Sequence, residues 1–390
     1  MRVVYLDNNA TTRLADEARE AMLPFLSEFY GNPSSMHTFG GQVHREIEKA
    51  RNRVAALIQA EPEEIIFTSC GTESDNTAIM SALQSKPEKR HIITTRVEHP
   101  AVLNFCKALA RRGYRVTFLS VDKQGQMDLQ ELQESISDDT AVVSIMYANN
   151  ENGVIFPVEE ISAMVKSKGI TFHTDGVQTA GKIPVDVKKL NVDMMSLSGH
   201  KIHGAKGTGA LYISRGTRFS PYIIGGHQER GRRAGTENVA SIVSFGMACR
   251  LAGEHVRSGD INVRRLRDRL EKGLLDTCPD TRINGHKDNR LPNTLNISFE
   301  YVEGEAILLR LNEYNICASS GSACTSGSLE PSHVLRAMGV PYTAIHGSVR
   351  FSLSRYTTDH DIDAVLERMP MIIKELRELS PYGREAANLK

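Results

Sequence analysis

Cysteine is scarce in this chain, with six in 390 residues at 70, 106, 249, 278, 317 and 324, and none of them forms a CxxC pair or a Cys/His ligand spacing. Such scatter excludes a disulfide framework and predicts free, mostly buried thiols in a reducing compartment. Net charge is missing too, because 47 Lys and Arg balance 47 Asp and Glu. A binder of nucleic acid or of an anionic membrane is therefore disfavoured. No apolar run approaches the roughly 18 residues that a membrane span needs. The start, Met1-Arg-Val-Val-Tyr-Leu-Asp7, turns polar before a signal-peptide core could form, so a cytoplasmic location is expected. No internal repeat or low-complexity tract interrupts the chain.

What is there has the makeup of an ordinary folded protein, 40% hydrophobic and 24% charged. The length predicts two domains, or one large domain with an appendage. From 64 to 214, β-rich apolar runs at 65–68, 91–95, 116–119, 141–146, 170–173, 194–197 and 209–213 alternate with helical spacing at 72–83, 100–111, 129–137 and 158–165. Pro100 and Pro157 are expected in first helical turns. The alternation predicts an α/β fold with a seven-stranded, mainly parallel sheet. Helices at 238–252 and 263–275 follow, with a domain boundary expected near 255–262. A turn-rich stretch at 279–292, strands at 293–299 and 348–353, and helices at 304–311 and 359–376 predict a smaller α+β unit. Residues after Pro381 read as a frayed tail.

In open α/β sheets ligands sit beyond the carboxyl ends of the strands, so the residues that follow each strand carry the information. Ser69-Cys-Gly-Thr-Glu-Ser-Asp-Asn76 opens a helix whose free N–H groups form an anion cradle. Glu98-His-Pro100, Asn149-Asn-Glu-Asn152, Asp175-Gly-Val-Gln178 and Ser198-Gly-His-Lys201 follow other strands. Together they have one chemical reading, pyridoxal phosphate, which needs a lysine for its Schiff base, a carboxylate for its pyridinium nitrogen and a phosphate cup. Lys201 would be that lysine and Asp175 the carboxylate, with His99 stacked on the ring and Gln178 on its hydroxyl. Taken singly, each has a plainer explanation as a cap, a turn or a surface histidine. Their joint placement favours the cofactor. His200 and His203, two imidazoles without a third ligand, do not predict a metal site.

Eight motifs then match one known family in order: Tyr5-Leu-Asp-Asn-Asn-Ala-Thr-Thr12, Gly31-Asn-Pro-Ser-Ser35, Phe67-Thr-Ser-Cys-Gly-Thr-Glu-Ser74, Val97-Glu-His-Pro100, His173-Thr-Asp175, Ser196-Leu-Ser-Gly-His-Lys201, Arg233-Ala-Gly-Thr-Glu-Asn238 and Ala318-Ser-Ser-Gly-Ser-Ala-Cys-Thr-Ser326. The chain resembles the cysteine desulfurases, fold-type I pyridoxal-phosphate enzymes of the class V aminotransferase group. The loop around Cys324 resembles that of the NifS/IscS branch, and Cys70-Gly71-Thr72 with 226–233 resemble the nitrogen-fixation type.

The resemblance implies conversion of L-cysteine to L-alanine, with the sulfur left as a persulfide on Cys324 for iron–sulfur cluster assembly. It implies Lys201 as Schiff-base lysine and Cα base, Asp175 as pyridinium partner and His99 as proton carrier. Gly71, Thr72, Ser198 and His200 would hold the phosphate, joined by Thr236 from the partner subunit of a homodimer. Arg350, with Asn32 and Asn150, would bind the substrate carboxylate, Asn150 also contacting the cofactor. An iron–sulfur scaffold protein is the implied sulfur acceptor. The large domain is then expected at 15–258, and the small one at 1–14 and 259–390, carrying the cysteine loop at about 318–330. Cys317 reads as a buried strand residue, and Cys70 as packing. The alternatives are a selenocysteine lyase or another class V enzyme, and a sulfur-relay or cluster scaffold using Cys324, Cys317 and Cys70.

Overall fold

The computed structural model describes residues 2–259, 261–320 and 331–380. Its centre is a seven-stranded sheet in the order Ile65–Thr68, Gly209–Ile213, Met194–Ser198, Thr171–Asp175, Thr140–Ser144, His91–Thr95, Arg115–Leu119. Gly209–Ile213 runs antiparallel to both neighbours, and the remaining pairs are parallel. The expected seven strands are therefore present, and six of them deliver their carboxyl ends to one side.

Period-two alternation divides these strands between two cores. Ile93, Val143, Phe172, Met195 and Tyr212 face one, packed with Val54 and Phe245. Ile92, Val142, Met194 and Leu211 face the other, packed with Ile79, Val102 and Leu109. Two long helices cover the first face, Thr38–Ile58 and Val239–Arg257. They approach closely at Gly246, where a Cβ would lie 2.5 Å from Ala50 Cα. No helix or strand is expected before residue 64, although Val43, Ile47, Val54 and Ile58 bury one helical face. Gly71–Ser85 and Pro100–Arg111 cover the second face, with Pro100 in the first turn as expected. Pro157 stands one residue earlier than expected, capping Val158–Ser167 from outside.

A third core lies under an antiparallel sheet of Ser348–Ser352, Thr294–Phe299 and Thr281–Ile283. Asn262–Thr277 and Asp359–Leu379 supply Leu266, Leu270, Ile362 and Val365 to it. Val4 and Leu6 also join it, and Val4–Tyr5 pairs in parallel with Ile316–Cys317. One stretch departs from the division expected from sequence. Within 334–345, Val334, Leu335, Met338 and Ile345 pack into the first core, with the large sheet. Cys317 is in a strand as expected, but only part-buried. The tail after Pro381 lies outside the described residues.

Candidate active site

A cavity of about 250 Å³ opens beyond the carboxyl ends of the parallel strands. Gly71, Thr72, His99, Asn150, Asp175, Gln178, Ser198, His200 and Lys201 all line it, so nine of the residues singled out from sequence meet at one place. Cys70, expected only to pack, lines it as well.

One wall suits an anion. Gly71–Ser85 begins there, and its N-cap Cys70 is extended with no side-chain cap on the first N–H groups. These free donors and the helix dipole give the wall positive potential. Ser198 ends its strand against this turn, and its Oγ is buried with no hydrogen-bond partner. A buried hydroxyl left unpaired costs about 1–3 kcal/mol, so a group accepting from it would recover that cost. Gly71 keeps the turn tight, since a Cβ there would lie 2.8 Å from Val177 Cγ2.

The opposite wall carries a carboxylate. Asp175 ends Thr171–Asp175, and its Oδ1 accepts from the Val177 N–H at 2.9 Å. Burial pushes its pKa up to about 6, against the pull of Lys201. Behind it, burial pushes Glu98 up to about 8, and burial with the charge of Asp175 raises Asp75. At neutral pH the negative charge therefore rests on Asp175, while Glu98 keeps its proton. His173, buried and driven down to about 3 by that burial, stays neutral between Ser144 Oγ at 2.8 Å and Ser196 Oγ at 2.9 Å.

Lys201 closes the turn Gly199–Lys201, and its Nζ donates to the carbonyls of Asn9 and Ala10, both at 2.7 Å. His99 caps Pro100–Arg111, its Nδ1 accepting from the Ala101 N–H at 3.2 Å. Burial, then the charges of Lys201 and His333, lower its pKa to about 4. The ring is neutral, and with Nδ1 accepting its proton is assigned to Nε2. His200 is lowered to about 4 by burial and Lys201, and its Nδ1 lies 3.1 Å from Thr11 Oγ1.

Arg350 stands next to the cavity, buried on Ser348–Ser352. Its Nη2 donates to Asp7 at 2.8 Å and its Nη1 to the Asn150 carbonyl at 3.0 Å, leaving Nε buried without a partner. The Asn150 Oδ1 is buried and unpaired as well. The Arg350 backbone pairs with Ser319, the Ser319 N–H donating at 3.2 Å and the Arg350 N–H at 2.6 Å, which ties the chain just before residue 321 to this site. Cys324 lies outside the described residues.

Besides Arg350, the expected members Asn32 and Thr236 do not line the cavity. Asn32 is exposed, its Oδ1 occupied by the Ser34 N–H at 2.9 Å. Thr236 lines a separate pocket with Ser69 and Arg233. Residues 229–231 in that region all have positive φ, held by the buried Arg51–Glu229 pair at 2.7 Å. Sequence reasoning missed the Asn9 and Ala10 carbonyls, Lys182 and the buried pair Asp75 and Glu98. Asn9 and Ala10 lie inside the first of the eight motifs, Glu98 inside the fourth and Asp75 in the stretch Ser69–Asn76, though none of them had a role assigned there, whereas Lys182 belongs to no motif.

The chain belongs to the family of class V aminotransferases: the model "Aminotransferase class-V" matches residues 4–365. Within it, the relatives are cysteine desulfurases, and this chain is one of them. It is 61% identical over 389 residues to cysteine desulfurase 2 of Trichormus variabilis, covering 100% of this chain and 97% of that one. It is 58% identical to cysteine desulfurase NifS of Azotobacter vinelandii, covering 98% and 95%. A solved NifS-like protein superposes with a TM-score of 0.90 at 41% identity, covering 96% of this chain and all of that one.

Proposed function

We propose that this enzyme uses pyridoxal phosphate to convert L-cysteine to L-alanine and leaves the sulfur as a persulfide on Cys324. The observation that carries the reading is the convergence of Lys201, Asp175 and the uncapped start of Gly71–Ser85 on one cavity. The unpaired Ser198 Oγ and the open N–H groups at Gly71 and Thr72 fit a phosphate, with His200 beside them. When bound, the cofactor supplies an electrophilic carbon for amines and a ring that stores an electron pair. Asp175 would hold the ring nitrogen in its protonated form. Gln178 would hydrogen-bond the ring hydroxyl.

Lys201, the only cavity lysine in this set, removes the Cα proton of the substrate and returns one as alanine forms. Neutral His99 carries a proton at Nε2 toward the leaving sulfur or the alanine side. Arg350 with Asn150 binds the substrate carboxylate, which suits a planar guanidinium with a free buried Nε. Among the described residues, Asn32 makes no contact that supports its assignment to this set. Cys324 attacks the substrate sulfur as a thiolate, the Cβ–S bond breaks, and L-cysteine plus the enzyme thiol become L-alanine plus the persulfide. That Thr236 lines a separate pocket supports its donation to the partner subunit of a homodimer. The chain divides functionally at 258/259, the small unit with 1–14 carrying the cysteine loop. An iron–sulfur scaffold takes the sulfur, in nitrogenase supply by analogy with NifS, and the cytoplasm is the site of action. Among the described residues no helix is long and apolar enough to cross a membrane.

Borohydride reduction of the resting enzyme, followed by peptide mass spectrometry, tests the cofactor site. A phosphopyridoxyl group on the peptide holding Lys201 is the expected result. A label elsewhere, or none on a protein supplied with the cofactor, would overturn it.

A further inference from the structure

Lys182 has no role in the chemistry above, yet it touches the site through two oxygens. It is part-buried with its amine end enclosed, and its Nζ donates to Gln178 Oε1 at 2.6 Å and to Asn9 Oδ1 at 2.9 Å. The Gln178 Nε2 donates to the Asn9 carbonyl at 3.0 Å, the same carbonyl that receives Lys201. Asn9 is thus a shelf that joins three side chains. It is itself fixed, donating to Thr294 Oγ1 at 2.9 Å and accepting from Asn293 at 3.0 Å.

An amide side chain has an acceptor end and a donor end of nearly the same shape, so its orientation is decided by its partners. With Lys182 against one end, turning Gln178 over would set an NH₂ group against another donor and leave a carbonyl facing a carbonyl. Only one orientation satisfies both neighbours, and it leaves the second Nε2 hydrogen for the cavity. We propose that Lys182 is a positioning residue: it locks the Gln178 amide so that a donor, never an acceptor, faces the cofactor's ring hydroxyl.

The inference rests on the pyridoxal-phosphate reading, and it deepens it by naming what orients the ring contact. Burial, with Lys201 and Arg350 nearby, holds the Lys182 pKa well below that of an ordinary lysine. Charged or neutral, its nitrogen still has hydrogens for both oxygens. The lock therefore depends on donors rather than on charge.

A double-mutant cycle tests this on cofactor binding and on the visible band of the loaded enzyme. Lys182→Met should raise the cofactor Kd by about 10-fold, the size of one lost hydrogen bond, and shift the band as Gln178→Leu does. In the Gln178→Leu background, Lys182→Met should add nothing further, because it acts through Gln178. Lys182→Arg, which keeps donors, should hold the wild-type band. Thermal melting of the cofactor-free variants separates these effects from misfolding, and Lys182→Arg carries the test if Lys182→Met does not fold. Full additivity of the two substitutions, an unchanged band in Lys182→Met, or a Lys182→Arg band displaced as far as that of Gln178→Leu would overturn the inference. If instead wild type carries no label at Lys201 after borohydride, the cofactor reading itself has failed.

Discussion

Lys201→Ala is expected to lower kcat for alanine formation by a factor on the order of 10³ or more, because it removes the group proposed both to anchor the cofactor and to move the Cα proton. The geometry isolates the effect. Lys201 Nζ is held by two carbonyls at the cavity wall, and its removal takes no group from the anion cradle at Gly71 or from the Asp175 wall, although Asp175 loses a nearby positive charge. The variant should therefore still bind pyridoxal phosphate, without the covalent link, and should melt within a few degrees of wild type. Added primary amines should restore part of the rate. Activity within tenfold of wild type would remove Lys201 from the chemistry.

Cys324→Ala is expected to abolish both products while leaving the cofactor and its response to L-cysteine intact. The loss should be on the order of 10³ or more, the scale for deleting a covalent nucleophile. The thiol belongs to a stretch of small residues, Gly321, Ser322, Ala323, Ser326 and Gly327, so its removal takes away no expected packing. Arg350, the proposed carboxylate anchor, pairs through its backbone with Ser319 just before that stretch and is left in place by the substitution. On adding L-cysteine the visible band is expected to shift in the variant and the wild type alike. Spectra and alanine assays on the same samples check both halves.

The sheet was legible because its strands announce themselves locally. At 91–95 and 209–213 the apolar runs match His91–Thr95 and Gly209–Ile213 to the residue, since both faces of each strand are covered. Thr281–Ile283 was not legible: three half-buried residues inside a polar, turn-rich stretch carry too little pattern. The helix Thr38–Ile58 had a readable stripe, but its first turn holds Gly40 and Gly41, which weaken a helical reading.

The site divides the same way. Asp175, Lys201, His99 and Gly71 each follow or end a strand, so topology alone gathers them. The Arg350–Asp7 pair joins residues 343 apart, and the Asn9 shelf joins Gln178, Lys182 and Lys201 from the far end of the chain. No spacing rule reaches that distance. The raised pKa of Glu98 comes first from burial and then from the charge of Asp175, neither of which the dipeptide Glu98-His99 reveals.

The most direct test of the account is the product balance of the wild-type enzyme given L-cysteine and a thiol reductant. Equal amounts of L-alanine and sulfide, with no pyruvate or ammonia, are predicted, because the Cβ–S bond breaks while the amino group stays on the product. Pyruvate and ammonia released with the sulfide would contradict it, since they would show elimination at Cβ rather than transfer of sulfur to a thiol.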